Sequence, residues 1–123
     1  MFEPSLIREI LEQIKEAAER ILRRTEHINI PDDFYRNEEN LDKLDAVCMM
    51  LIAIGESLKK IERLTDGMML EKYPEVDWKG LKGIRDIISH QYFNINANAV
   101  LDACRNDIPV LLKTIILLIK EIK

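Results

Sequence analysis

Glycine and proline are scarce in this chain, with four of each among 123 residues. Both residues interrupt helices, so their scarcity leaves room for long helical segments and excludes a loop-rich or collagen-like architecture. Low-complexity tracts and internal repeats are missing too, and a hydrophobic fraction of 47% is ordinary for a packed core. Length and composition therefore predict one globular domain that spans residues 1–123.

Cysteine and histidine are also rare, with two residues of each type. Cys48 and Cys104 lie among apolar residues at helical spacing, which indicates buried thiols in a reducing cytoplasm and not a disulfide framework. Together with the two histidines, His27 and His90, they show no spacing typical of a zinc site. We therefore predict no structural metal and no cofactor.

A broad basic surface is absent, because the formal net charge is −4. This balance excludes a protein that coats nucleic acid through its whole surface, although it leaves room for a local site. Basic residues do cluster in the middle third of the chain, at Lys59, Lys60, Arg63, Lys72, Lys79, Lys82 and Arg85. The cluster predicts either a local positive field around a nucleic-acid strand or an ordinary solvated surface. The most apolar run, residues 108–119, contains Lys113 and is shorter than the roughly 20 residues of a membrane-spanning helix, so we expect no membrane segment.

Apolar residues recur every three or four positions in three stretches, which predicts three amphipathic helices. We expect them from about residue 5 to residues 25–28, from about Asn37 to Leu64, and from about Ala97 to the end of the chain. In the last helix Pro109 cannot donate a backbone hydrogen bond, so we expect a bend over residues 105–108. Gly55 costs the second helix about 1 kcal/mol relative to alanine, which indicates that another helix approaches closely there.

A further helix is predicted over Gly80–Phe93, and it would carry most of the reactive side chains. At about 100° per residue, its apolar face would hold Leu81, Ile84, Ile87 and Ile88. Its polar arc would hold two rows, with Arg85, Ser89 and Tyr92 in one and Asp86 and His90 in the other. The overall prediction is an all-α fold, an up-and-down four-helix bundle plus a short motif helix.

This strip of polar side chains suits a phosphodiester substrate. An arginine can neutralise a developing phosphorane, and a histidine, which titrates near neutral pH, can move the proton of an attacking hydroxyl. The same residue types are common on the solvated face of an ordinary amphipathic helix. Spacing alone leaves both interpretations open.

Four short motifs give the chain a resemblance to a known family. Arg85-Asp-Ile-Ile-Ser-His90-Gln-Tyr92 is similar to the R-x4-H-x-Y motif of the HEPN superfamily, specifically of its HepT-like toxin branch. Ile54-Gly-Glu-Ser57 resembles the family's Gly-Glu box, and Tyr73-Pro-Glu-Val-Asp-Trp78 resembles its Pro…Trp entry to the motif helix. Asp107-Ile-Pro109 resembles the Asp-Leu-Pro of its last helix. The motifs follow the family's order and spacing, and the likeness runs from about Leu41 to the end of the chain.

The resemblance implies a homodimeric helical bundle whose two motif helices meet at a metal-independent endoribonuclease site. It also implies a toxin–antitoxin system, in which a small nucleotidyltransferase antitoxin modifies the motif tyrosine with AMP. The residues of this chain that match the motif are Arg85, His90 and Tyr92.

The chemistry expected of such a site is transesterification by the 2′-hydroxyl of the RNA itself. Arg85 would stabilise the phosphorane, and His90 would act either as the general base or as the acid for the leaving oxygen. Asp86 would orient the imidazole or simply face solvent. Tyr92 would contact the RNA or accept AMP, and Ser89 would support the site.

A regular helix would separate Arg85 and His90 by about 140° around its axis. Both reach one phosphate only if the helix unwinds near His90 or if two protomers share the site, and the second condition predicts a homodimer. Lys79 and Lys82 are candidate RNA contacts beside the motif. Two other hypotheses stand next to the nuclease: a non-catalytic module that binds a nucleotidyltransferase or a nucleotide, and a purely structural bundle.

Overall fold

A computed structural model describes residues 3–91 and 94–122, with the backbone alone for residues 89–91. The long helices are α1 (Pro4–Arg24), α2 (Glu38–Leu64) and α6 (Ile108–Glu121), which continues α5 (Ala97–Asp102) through a π-helical turn, Ala103–Asp107. Between α2 and α5 lie the short helices α3 (Trp78–Lys82) and α4 (Ile84–Ile88) and an antiparallel ribbon of β1 (Ser89–Gln91) and β2 (Asn94–Ile95). Short 3-10 turns, Pro31–Tyr35 and Leu70–Lys72, complete the connections.

The predicted all-α class is confirmed, and the small ribbon is its one addition within the described residues. α1 packs against both α2 and α6, and its apolar stripe is buried as the periodicity predicted. The residues of α2 that bury the matching stripe are Leu44, Val47, Cys48, Leu51, Ile54, Gly55, Leu58 and Ile61. Because each long helix buries one face against another, the core is continuous from α1 to α6.

Both cysteines are free and lie in this core, as predicted. Burial raises the pKa of the Cys48 thiol to about 11 and that of the Cys104 thiol to about 12. Neutral thiols of this kind are poor nucleophiles, so the cysteines act as small apolar core residues.

The connection between α1 and α2 is fixed by a buried carboxylate. One Asp33 oxygen accepts hydrogen bonds from the backbone N–H groups of Asn29 (2.8 Å) and Ile30 (3.2 Å), and the other pairs with Arg36 at 2.7 Å. These backbone hydrogen bonds, with the Arg36 charge adding to them, hold the pKa of Asp33 below its ordinary value. The breaker predicted at Pro31 is therefore an ordered turn.

Near Pro109, where a bend over residues 105–108 was predicted, the structure has a π-helical turn, Ala103–Asp107, and the helix continues beyond it without a break. Pro109 has no N–H to donate to the carbonyl four residues back, and the wider turn relieves that conflict. The turn directs Arg105 toward the end of α1, where its guanidinium donates to the carbonyl of Thr25 at 2.7 Å and also to that of Ile28. Among the described residues, no helix is long and apolar enough to cross a membrane.

Candidate active site

The α4 helix carries the first two residues of the predicted motif at the protein surface. Ile84 and Ile88 are buried on its inner side, whereas Arg85 and Asp86 are exposed. Ile87 was predicted on the apolar face, and this prediction is wrong, because 45% of the residue is exposed. The outer side of α4 therefore presents an arginine, an aspartate and an isoleucine in a row.

The helix predicted over residues 80–93 is also wrong beyond Ile88. It is broken at Gly83 into α3 and α4, and the chain then becomes extended in β1. β1 pairs with β2, with Ser89 opposite Ile95 and Gln91 opposite Asn94, and the Ile88 carbonyl accepts from the Asn96 N–H at 2.8 Å. The helical rows that joined Arg85 to Ser89 and Asp86 to His90 therefore do not exist.

The physical reason for this ending lies in local sequence and in pairing. Ile87 and Ile88 are β-branched, which lowers helix propensity and favours extended backbone. The segment that follows offers Asn94 and Ile95 as strand partners, and Asn96 then caps α5 by accepting from the Ala99 N–H at 3.1 Å. Pairing of β1 with β2 therefore outweighs the weak tendency of the short helix α4 to continue beyond Ile88.

His90 and Ser89 lie on β1, immediately beyond the end of α4. Their side chains, and all of Tyr92 and Phe93, lie outside the described residues. The roles predicted for His90, Ser89 and Tyr92 therefore stay predictions.

Two hydrogen bonds hold the entry to the motif. The Asp77 carboxylate accepts from the Gly80 N–H at 3.0 Å, so this residue is the predicted N-cap of α3. The Trp78 indole N–H donates to the Tyr73 carbonyl at 2.9 Å while its ring packs against the core. The loop before α3 is thus fixed at both of its ends.

The α2 helix supports the motif at Gly55, as its glycine predicted. A Cβ placed there would lie 2.6 Å from the Leu81 carbonyl oxygen and 3.5 Å from a methyl carbon of Ile84. Any larger residue would push α3 and α4 outward. Gly55 therefore sets the distance between the scaffold helix and the helices that carry Arg85.

The predicted basic cluster is partly neutralised. Lys82 forms an ion pair with Glu62 of α2, and Lys59 pairs with Glu56 at 2.9 Å. Lys79, in contrast, is exposed on the first turn of α3. Of the two candidate RNA contacts, Lys79 is therefore the one whose charge faces solvent.

A small acidic cleft beside α4 was missed by sequence reasoning. A cavity of about 140 Å³ is lined by Asp77, Asp102, Asp107 and Ile87, among others. Partial burial, and then the charges of Asp77 and Asp102, raise the pKa of Asp107 above its ordinary value. The sequence motif that contains Asp107 does not predict this cleft, because Asp107 lies in the π-helical turn and only the fold brings it near Asp77. Among side chains that the structure describes, no three His, Cys, Asp or Glu residues are arranged as a metal site.

Comparison with known proteins identifies the class that this fold and site define. A family model described as "Ribonuclease HepT-like" matches residues 14–118. The chain is 34% identical over 92 residues to "Putative RNase MJ0127" of Methanocaldococcus jannaschii, an alignment that covers 75% of this chain and 70% of that protein. The chain belongs to the HepT-like ribonuclease family of the HEPN superfamily, which confirms the resemblance carried by the R-x4-H-x-Y motif.

Two further relatives agree with this assignment. "Putative RNase MJ1216" of the same organism is 37% identical over 78 residues, which cover 63% of this chain and 61% of that protein. "Putative RNase TTE0752" of Caldanaerobacter subterraneus subsp. tengcongensis is 29% identical over 108 residues, which cover 88% of this chain and 89% of that protein. No solved structure matches the chain significantly.

Proposed function

We propose that this chain is the toxin of a HEPN/MNT toxin–antitoxin system and acts in the cytoplasm as a metal-independent endoribonuclease. The proposal rests on the position at which α4 ends: the helix stops at Ile88, between Arg85 and His90 in the sequence. A continuous helix would hold the two residues about 140° apart. The change to extended backbone at Ser89 removes that constraint, and Arg85 is exposed on α4.

In the proposed reaction, the 2′-hydroxyl of the RNA attacks the adjacent phosphorus. One His90 takes the hydroxyl proton, and a second His90 or water protonates the 5′-oxygen that leaves. Arg85 neutralises the charge that builds up on the phosphorane. The products are a 2′,3′-cyclic phosphate and a 5′-hydroxyl, so the protein's residues supply only proton transfer and charge.

We further propose a homodimer in which α4 of each protomer faces the other. The outer side of α4 presents opposite charges at Arg85 and Asp86 beside the exposed Ile87. In a two-fold contact, each arginine can face the partner's aspartate while the two isoleucines meet. This arrangement would bring two copies of the motif to one site.

Tyr92 is the proposed point of control by the antitoxin. Its phenol oxygen would attack the α-phosphorus of ATP held by a nucleotidyltransferase, so that a P–O bond to tyrosine forms and pyrophosphate leaves. The resulting phosphodiester adds bulk and negative charge two residues from His90, which would obstruct an RNA phosphate. Lys79 is the proposed RNA contact on the approach to the site.

Cleavage of a defined RNA in the presence of EDTA tests the proposal. We expect wild-type protein with unmodified Tyr92 to cleave, and Arg85→Ala and His90→Ala to lose about 10³-fold in rate while their helical content is unchanged. A mixed dimer of the two inactive variants separates the two site models. If each site takes Arg85 from one protomer and His90 from the other, one intact site reforms and activity returns in part; a site within one protomer gives none.

Two results would overturn parts of this function. Absence of cleavage by a dimer whose intact mass shows unmodified tyrosine would reject the nuclease and favour a non-catalytic module that binds the nucleotidyltransferase. Full activity of a strictly monomeric protein would reject the shared site. A mass increase of one AMP on incubation with the nucleotidyltransferase and ATP, lost in Tyr92→Phe, would support the control step.

A further inference from the structure

The bend between α3 and α4 decides where Arg85 lies. Lys82 is the last residue of α3, Gly83 closes that helix, and Arg85 follows in the first turn of α4. A glycine at the joint has no side chain with which to fix the angle between the two helices. The angle must therefore be set by packing against other elements, and α2 is the long helix that contacts both α3 and α4.

The structure provides two such contacts. In the first contact, the Leu81 carbonyl packs directly against Gly55, where an added Cβ would lie only 2.6 Å from the carbonyl oxygen. The second is the ion pair between the Lys82 ammonium and the Glu62 carboxylate, which joins α3 to α2 across 20 positions of sequence. The Lys82 side chain is 19% exposed, against 45% for Glu62, so its charge is directed inward to α2.

Resting on the proposed ribonuclease function, we infer that Lys82 is a positioning residue for Arg85 and not an RNA contact, and that Glu62 is its partner. The ammonium engages a carboxylate on the scaffold helix, so it has little freedom to reach a phosphate. Release of the pair frees the α3–α4 bend and displaces the arginine. A displacement of about 1 Å in a reacting group can cost up to about 100-fold in rate.

Lys79 provides the matched control. It lies on the same short helix, three residues earlier, and is exposed. An RNA contact and a positioning residue differ in what their loss changes. Loss of a phosphate contact weakens binding and lowers the slope of log affinity against log salt by about one, whereas loss of a positioning residue lowers kcat and leaves that slope unchanged.

The experiment measures kcat, KM and the salt dependence of binding for Lys82→Ala, Glu62→Ala, the double variant and the charge swap Lys82→Glu/Glu62→Lys. Binding is measured with a fully 2′-O-methylated oligonucleotide, which cannot undergo transesterification. We expect both single variants and the double variant to lose about tenfold in kcat, with KM and salt slope near wild type, and the swap to recover most of that loss. Lys79→Ala should instead raise KM and lower the salt slope.

The opposite pattern would overturn the inference. Tighter RNA binding by Glu62→Ala together with weaker binding and a lower salt slope for Lys82→Ala would show a lysine that contacts RNA and is restrained by Glu62. If wild-type protein does not cleave RNA, the proposed function fails and hydrogen exchange of residues 83–88 decides the positioning role. Faster exchange there in both single variants and recovery in the swap would support it, and unchanged exchange would reject it.

Discussion

The scaffold helices and the motif segment (residues 77–96) obtain their structure in different ways. α1, α2 and α6 have 21, 27 and 14 residues, and each buries a long apolar stripe. In the motif segment, α3 and α4 have five residues each, and β1 and β2 have three and two. Elements this short are not stable alone, so the motif segment depends on α2 for its position.

This difference has a functional meaning. A scaffold helix can change its surface residues freely because packing holds it. The motif segment exposes Arg85 and Asp86 and buries only a few apolar side chains, among them Ile84 and Ile88. The close approach at Gly55 and the pair of Lys82 with Glu62 complete its attachment to α2. Substitutions in the core of the scaffold helices should therefore chiefly lower stability, whereas substitutions in the motif segment should chiefly lower activity.

The largest expected effect compares two isoleucines at different depths. Ile61 of α2 is fully buried, whereas Ile87 of α4 is 45% exposed. Ile61→Ala should lower the free energy of unfolding by about 2–5 kcal/mol through lost burial and a cavity, and Ile87→Ala should lower it by less than about 1 kcal/mol. Urea unfolding followed by circular dichroism measures both. A loss at Ile87 as large as that at Ile61 would contradict the comparison and show that α4 is covered in the assembled protein.

A smaller effect is expected at the contact between the two regions. Gly55→Ala gains about 1 kcal/mol of helix propensity but drives a methyl group onto the Leu81 carbonyl, and overpacking of this kind costs about 1–3 kcal/mol. The net effect is a loss of up to about 2 kcal/mol, so we expect a lower melting temperature together with a loss of RNA cleavage, because α3 and α4 move outward.

Gly83→Ala is the matched control for Gly55. Its Cβ would lie 3.4 Å from the Lys79 carbonyl, which is an ordinary contact, and its backbone angles suit alanine. Equal cleavage by the two alanine variants would show that the approach of α2 at Gly55 does not position the site.

The scaffold could be predicted from sequence because its information is local. The apolar periodicity of α1 and α2 extends over many turns and predicted their bounds within a few residues. Pro109 predicted an irregular turn just before it, since the missing N–H acts on the helix that contains it. Gly55 predicted a close approach, although not which residues make it.

The motif segment could be predicted only in part, because its structure depends on contacts between distant residues. The spacing of apolar residues over Leu81–Ile88 is helical, and the β-branched pair Ile87 and Ile88 lowers helix propensity without marking where the helix ends. The end is decided by pairing with Asn94 and Ile95. In the same way, the sequence does not indicate which acidic residue pairs with Lys82, and only the fold brings Glu62 next to it.

The smallest expected effect compares two carboxylates with opposite surroundings. Asp33, in the scaffold connection, accepts two backbone hydrogen bonds, and its pKa is lowered. It therefore contributes stability that is fully present above its unfolded pKa of about 3.9 and is lost as the pH falls through its folded pKa. Asp107, beside the motif segment, has its pKa raised by burial and by the charges of Asp77 and Asp102. Its ionised form therefore destabilises the fold above the folded pKa, and protonation removes that cost.

Asn substitutions at these two sites should consequently have opposite effects. At pH 7, Asp33→Asn should lower the melting temperature, because an amide replaces a charged acceptor, and Asp107→Asn should raise it, because one of three neighbouring negative charges disappears. The Asp107→Asn difference should shrink as the pH falls from the raised folded pKa of Asp107 toward its unfolded pKa of about 3.9, and the Asp33→Asn difference should shrink only below about 3.9, as the pH falls toward the lowered folded pKa of Asp33. Melting curves from pH 3 to pH 8 measure this convergence. A lower melting temperature for Asp107→Asn at pH 7 would mean that the Asp107 charge is compensated, and that the cleft beside α4 is held together by its carboxylates and not opposed by them.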